Sequence, residues 1–345
     1  MKILIVKVSA LGDVIHALPV LSYIKQLHPD AHIDWLIEDN FAPILENHPL
    51  LHRIIRVNTR QWRNMSLVAM AKQIREFVKN LRRERYDFVF DLQGNSKSAL
   101  FTLVSRGGNK YGFSRREVRE WPNVLATRYR IQPGAHEQHV ARRALAVVRA
   151  ALPGGDEVSL CGPLHIADQH TQEIERYIDQ FALDKCSIIV LHYGTTWDTK
   201  LWHLSMWKQL AAKLVQCSQT AIILTWGSPD ELHAAEQIRA SVDGAALIWP
   251  RVSLPELAAL LARADLVVGC DTGPVHIAAA TGTPTVSMYR ATDALRNGPE
   301  GEKHIRLQTP MPCAKCLRKQ CEYDAQCSTS IRVADVLDAI EKTID

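Results

Sequence analysis

Six short runs of the chain are almost wholly apolar and lead into loops rich in glycine, hydroxyl and charged residues. They are KILIVKV (2–8), DFVFDLQG (87–94), SIIVLHYG (187–194), TAIILTWG (220–227), DLVVGCD (265–271) and PTVSMY (284–289). A strand with one wet face alternates apolar and polar residues. An unbroken apolar run of this length belongs to a strand covered on both faces, as in a parallel sheet. HIDWLIE (32–38) and RIIRV (53–57) add two more strands. Between the runs, apolar residues recur at three-to-four spacing over 16–29, 65–86, 140–151, 169–181, 205–217, 229–242, 254–264 and 331–344, which predicts helices. Strand and helix in alternation imply an α/β fold with parallel sheets.

The chain has 345 residues, more than one core usually serves. Pro153, Gly154, Gly155 and the Gly162-Pro163 pair interrupt the pattern, which then restarts. Two doubly wound domains follow, 1–163 and 164–345, with a cleft expected between the carboxyl ends of their strands. No apolar run reaches the 18 or so residues that span a bilayer. Lys7, Asp13 and His16 break the N-terminal apolar stretch, which reads as a first strand and turn and not as an export signal. The expected compartment is the cytoplasm, with the eight cysteines reduced. The net charge of +4 is too small to imply nucleic acid. Basic residues nevertheless gather between Arg53 and Arg149, with Arg115, Arg116, Arg119, Arg128 and Arg130 close together. They form either a solvated face or a surface for an anionic acceptor or membrane.

Ligands of open parallel sheets bind outside the carboxyl ends of the strands, so the loops there hold the candidate residues. Asp271-Thr272-Gly273-Pro274-Val275-His276 follows a strand and opens a small-residue helix. Its first amides and helix dipole suit a phosphate; the plain alternative is an ordinary capped helix. Thr195, Thr196 and Lys200 supply short donors and a point charge in another such loop, fit for a pyrophosphate. Neither the dinucleotide glycine fingerprint nor a P-loop is present. Asp13, in the turn after the first strand, is either a helix cap or a general base for an acceptor hydroxyl. Single displacement at an anomeric carbon needs one such base and no carboxylate nucleophile. Cys313, Cys316, Cys321 and Cys327 form C-x2-C-x4-C-x5-C. That spacing admits a structural zinc or iron ion, reduced thiols or disulfides.

Taken together, KVSALGDVIHALPVL at the start, DLQG at 91–94, HYGTTWDTKLWHLSMW at 192–207, WGSPDE at 226–231 and DTGPVHIAAATGTPTVSMYRATD at 271–293 resemble the bacterial heptosyltransferases. The resemblance runs in order along nearly the whole chain. It implies a GT-B fold of two Rossmann-like domains, an ADP-heptose donor and a lipid A–Kdo type acceptor. It also implies inverting transfer without a required metal, at the cytoplasmic face of the inner membrane. Residue by residue, it makes Asp13 the base and sets Thr195, Thr196 and Lys200 on the donor phosphates. It places Asp271 on the heptose, Thr272, Gly273 and His276 beside the pyrophosphate, and Glu231 near the ribose. Lys7, Ser9, Arg60, Arg63, Gln93 and Arg119 fall to the acceptor. The segment RQWR (60–63) looks like the branch that adds the first heptose to Kdo, whereas the Cys-rich tail looks more like other branches. The competing readings are a transferase or epimerase for another nucleotide sugar, and a metal-stabilised nucleic-acid or partner-binding protein. For the latter the chain outside the cysteines gives no motif.

Overall fold

A computed structural model describes residues 1–344. The chain forms two compact units, Met1–His165 and Ile166–Asp345. In the first, β1 (Lys2–Val6), β2 (His32–Glu38), β3 (Arg53–Val57), β4 (Tyr86–Asp91), β5 (Gly107–Phe113) and β6 (Tyr129–Ile131) form one sheet in the order β3-β2-β1-β4-β5-β6. In the second, β7 (Ser187–His192), β8 (Thr220–Leu224), β9 (Leu247–Ile248), β10 (Leu266–Cys270), β11 (Thr285–Tyr289) and β12 (His304–Gln308) take the order β12-β11-β10-β7-β8-β9. Neighbouring strands run parallel throughout, with Ile5 of β1 level with Trp35 and Phe90, and Val268 of β10 level with Leu191 and Val286.

The unbroken apolar runs are the central strands. Ile3, Leu4, Ile5 and Val6 are fully buried, as are Leu266, Val267, Val268 and Cys270. Burying each such aliphatic side chain contributes about 1.5–3 kcal/mol. The strands that the apolar pattern does not announce are β5, β6, β9 and β12. They lie toward the sheet margins, and their side chains are mostly half-buried or exposed. The helix expected over 16–29 runs Pro19–Leu27, starting at a proline whose missing N–H suits a first helical position, and a separate short helix, Leu11–Ile15, precedes it.

At the amino end of the first sheet, buried Asp34 ties three strands together. Its Oδ2 accepts from Arg53 Nη2 at 2.7 Å and from Tyr86 Oη at 2.7 Å. That network fixes register at the end away from the loops of interest. At the other end, β1 and β4, and likewise β7 and β10, are the central pair from which successive connections depart in opposite directions. Such a switch point opens a crevice beyond the strand ends. The charges are unevenly divided: the first unit carries 24 Lys and Arg against 15 Asp and Glu, the second 17 against 22. No helix among the described residues is long and apolar enough to cross a membrane.

Candidate functional site

In the first unit the loops after β1 and β4 are built on one another. Asp91, the last residue of β4, is fully buried. Its Oδ1 accepts from the amides of Gln93 and Gly94 at 3.0 and 3.1 Å, and its Oδ2 from Asn123 Nδ2 at 2.7 Å and Thr102 Oγ1 at 3.2 Å. Burial pushes its carboxyl above the usual range, against the pull of these donors. The loop so fixed does two jobs. Gln93 Oε1 accepts from the amides of Val8 and Ser9 at 3.0 and 3.1 Å. Gly94, at φ +75°, turns its carbonyl to accept from the amides of Arg119 and Glu120 at 2.9 and 3.2 Å. A side chain at 94 would be strained in that conformation. Buried Arg143 grips the same segment through the Glu117 carboxylate at 2.6 Å.

These supports bring Asp13 and Arg119 together. Asp13 Oδ2 accepts from Arg119 Nη2 at 3.1 Å and from the Ala10 amide at 3.3 Å. Asp13 thus makes the local cap bond that a plain reading foresees, but also faces a largely exposed guanidinium. Lys7 lies beneath, buried, with Nζ donating to the Leu92 carbonyl at 3.0 Å. Burial pulls its ammonium below the ordinary lysine value, with the Asp13 charge opposing that shift. Lys7, Ser9, Asp13, Gln93 and Arg119 therefore form one group. Arg60 and Arg63 do not follow the switch-point strands. They are exposed, on and just after the short helix Thr59–Trp62 that follows β3, two strands from β1.

In the second unit, Asp271 follows β10 and Lys200 lies in the loop after β7. Lys200 Nζ meets Asp271 Oδ2 at 2.7 Å, and His276 Nε2 lies 3.2 Å from Asp271 Oδ1. Burial alone would raise the Asp271 carboxyl. The His276 hydrogen bond and the Lys200 charge outweigh it and hold the group well below the usual carboxylate range. Thr272 is the N-cap of helix Gly273–Ala280 and makes no side-chain cap bond. The helix lies close on β10 because residue 269 is glycine: a Cβ there would fall 2.6 Å from Val275. Thr195 is half-buried and Thr196 exposed in the loop above.

Glu231 opens helix Pro229–Ala240, where its Oε2 accepts from the amides of Gly227 and Ser228 at 2.7 and 3.2 Å. It also packs so close to Gly194 that a Cβ there would lie 2.1 Å from Oε1. His192 beneath is fully desolvated and pulled down to about 4, so it is neutral near pH 7. Its Nδ1 is 2.9 Å from Thr225 Oγ1.

Arg290, which pattern reading passes over, ties the Lys200 loop down. It is 2% exposed. Its guanidinium donates to the carbonyls of Asp198 and Leu201 and to the Asp324 carboxylate, the last at 2.6 Å. The available signal was an arginine directly after the apolar strand 284–289. The Cys-rich tail proves to be part of the same support, which corrects the metal expectation. Among the described residues no group of three or more His, Cys, Asp or Glu is arranged to hold an ion. Cys327 is buried with Sγ 3.4 Å from Arg290 Nε, while Cys313 is exposed and Cys316 and Cys321 are half-buried. The intervening residues hold the loop instead: the Arg318 carbonyl accepts from Thr199 Oγ1 at 2.6 Å, and the ammonium groups of Lys200 and Lys319 both lie over the Trp197 ring.

The model of glycosyltransferase family 9 (heptosyltransferase) matches residues 74–326. Lipopolysaccharide heptosyltransferase 1 of Pseudomonas aeruginosa is 35% identical over 326 residues, covering 94% of this chain and 88% of that protein. Its namesake in Escherichia coli K12 is 33% identical, covering 90% of this chain and 94% of its own. The solved E. coli heptosyltransferase WaaC with ADP superposes with a TM-score of 0.81 at 27% identity, covering 99% of this chain and all of that one. The same enzyme with ADP-2-deoxy-2-fluoro heptose gives 0.80.

Proposed function

The chain belongs to glycosyltransferase family 9, the GT-B heptosyltransferases of lipopolysaccharide core synthesis, and from that premise we propose that it moves heptose from ADP-heptose to the Kdo of a lipid A–Kdo acceptor. The setting is the cytoplasmic face of the inner membrane. The observation that carries the reading is the division of chemistry between two equivalent switch points. One presents the Asp13 carboxylate beside Arg119; the other presents Lys200, Asp271 and His276 at a helix N-terminus.

In this reading the second unit binds the donor. Lys200, Thr195, Thr196 and the amides at Thr272 and Gly273 face the diphosphate. His276 stands beside it, Asp271 faces the sugar, and Glu231 the ribose. The first unit binds the acceptor, with Lys7, Ser9, Arg60, Arg63 and Arg119 toward its carboxylates and phosphates. Asp13 takes the proton of the acceptor hydroxyl, whose oxygen bonds to the anomeric carbon. The bond from that carbon to the phosphate oxygen breaks, and ADP leaves with the electron pair. Positive charge fixed in advance stabilises the leaving group, so the scheme calls on no metal. Gln93 is a positioning residue here, because its carbonyl oxygen holds the Val8 and Ser9 amides.

The test is steady-state ADP release with a panel of donors and a Kdo-bearing acceptor. ADP-heptose is the donor expected to be consumed. Asp13→Ala lowers kcat by about 10²–10⁴-fold while calorimetric binding of ADP persists. Undiminished turnover removes Asp13 from the scheme, and efficient use of another nucleotide sugar overturns the donor assignment.

A further inference from the structure

Four large apolar side chains stand out from one flank of the first unit. Leu100 and Leu103, on helix Ser96–Val104, are 62% and 51% exposed; Trp121 and Leu125, at the two ends of a 3-10 turn, are 61% and 63% exposed. Helix and turn are one body. Asn123, midway along the turn, donates from Nδ2 to the Asn95 carbonyl at 3.0 Å and to Ser98 Oγ at 3.1 Å. Single exposed apolar residues are ordinary on protein surfaces, but two pairs on packed elements make a patch, and patches mark interaction sites.

The rim is cationic. Lys110 Nζ is fixed at the carbonyl end of the helix, donating to the carbonyls of Thr102, Leu103 and Ser105. Arg130 Nε donates to the Val124 carbonyl inside the turn at 3.1 Å, and neighbouring Arg128 lies over the Tyr129 ring. Two carboxylates lie nearby: Glu117 is paired with Arg143, whereas Glu120 accepts from the Ser96 amide and keeps its charge, one anion beside Arg128 and Arg130. The unit as a whole has nine more basic than acidic residues, 24 against 15.

We propose that this flank docks on an anionic lipid bilayer, with Leu100, Leu103, Trp121 and Leu125 entering the headgroup boundary and the exposed Arg128 and Arg130 meeting lipid phosphates. Tryptophan favours that boundary, having an apolar body and one polar tip. Apolar insertion and basic attraction reinforce each other at anionic surfaces. A second copy packed symmetrically on the same patch would set two cationic rims face to face. The docking deepens the reading above, in which the acceptor is a lipid-anchored sugar. Arg119 is two residues from Trp121, and its amide is bonded to Gly94, so a docked flank carries the Asp13–Arg119 pair to the bilayer surface.

The test is sedimentation of the full chain with vesicles that hold no acceptor, of phosphatidylcholine alone and of phosphatidylcholine mixed with phosphatidylglycerol. The parent is expected to partition about tenfold more strongly onto the anionic vesicles. The double variants Trp121→Ser/Leu125→Ser and Arg128→Gln/Arg130→Gln each lower that partition at least about fivefold. Their thermal unfolding and their turnover on a short, water-soluble Kdo acceptor stay at parental levels. Parental binding by both variants, or binding indifferent to phosphatidylglycerol, overturns the proposal. So does a parental dimer in sedimentation velocity that the Trp121/Leu125 variant loses, which gives the patch to a second copy. A parent inactive on the soluble acceptor yet binding vesicles normally would instead count against the transferase reading alone.

Discussion

The two units use one strand order for opposite electrostatic ends. Each places its loops of interest after the first and fourth strands of its own sheet. In the first unit those loops are joined by hydrogen bonds from backbone amides to Asp91, Gln93 and Gly94, and the group they present is a carboxylate under a guanidinium. In the second they are joined by side-chain charge, Lys200 to Asp271, at the start of a buried helix. The first unit is basic overall and the second acidic. Topology chose where the chemistry sits; local charge and hydrogen bonding decided which chemistry it is.

Paired substitutions give the largest expected effect on that contrast. Lys200→Ala is expected to cost about 10²–10³-fold in kcat/KM, the scale of one lost electrostatic donor, and to weaken ADP binding in calorimetry. Asp13→Ala leaves ADP binding in place. Equal loss of ADP affinity in both would break the division of labour. Next, Gly194→Ala drives a methyl into Glu231. The expected result is at least about tenfold weaker ADP binding with less than about 1–3 kcal/mol lost in stability, the usual scale of overpacking. Unchanged ADP affinity would remove Glu231 from the donor side.

Gln93→Leu strips the acceptor from the amides of Val8 and Ser9, at about 1–3 kcal/mol for the buried Val8 amide and less for the part-buried Ser9. It should lower Tm and kcat while sparing ADP affinity; a rise in acceptor KM alone would instead show Gln93 acting as a direct acceptor ligand. The smallest effect concerns pH. Because the folded Asp271 carboxyl is held below its unfolded value of about 3.9, its pairing stabilises the fold fully above that pH. The contribution fades as pH falls toward the folded value. The stability gap between parent and Asp271→Asn should be level at neutral pH and shrink in acid. A gap that widens in acid would contradict the assigned charge state.

Sequence patterns made the central strands legible because both faces are buried, leaving apolar runs with no polar interruption. The loops were legible because β-strand ends in an α/β fold are where ligands bind. Margin strands such as β5, with sequence GGNKYGF, lack that signal, since a half-exposed strand tolerates glycine and lysine. The role of Gln93 was not legible. Its oxygen serves amides some 84 residues away in the chain, and no periodicity encodes a single distant hydrogen bond. Arg290 was hidden for the same reason, its partners lying 34 to 92 residues off. The Cys-rich tail misled because spacing along the chain says nothing about direction: Cys327 turns inward beside Arg290 while Cys313 faces water.

Asp91 receives four donors from three stretches of chain, and two of those donors, Gln93 and Gly94, pass the constraint on to the neighbourhoods of Asp13 and Arg119. Changes at Asn123, Gln93 and Gly94 should therefore be strongly epistatic. Once one has loosened the hub, a second has little left to disturb. Sequence drift in this corner is then expected to proceed by coordinated replacement, with Asp91, Gln93, Gly94 and Asn123 inherited as a block.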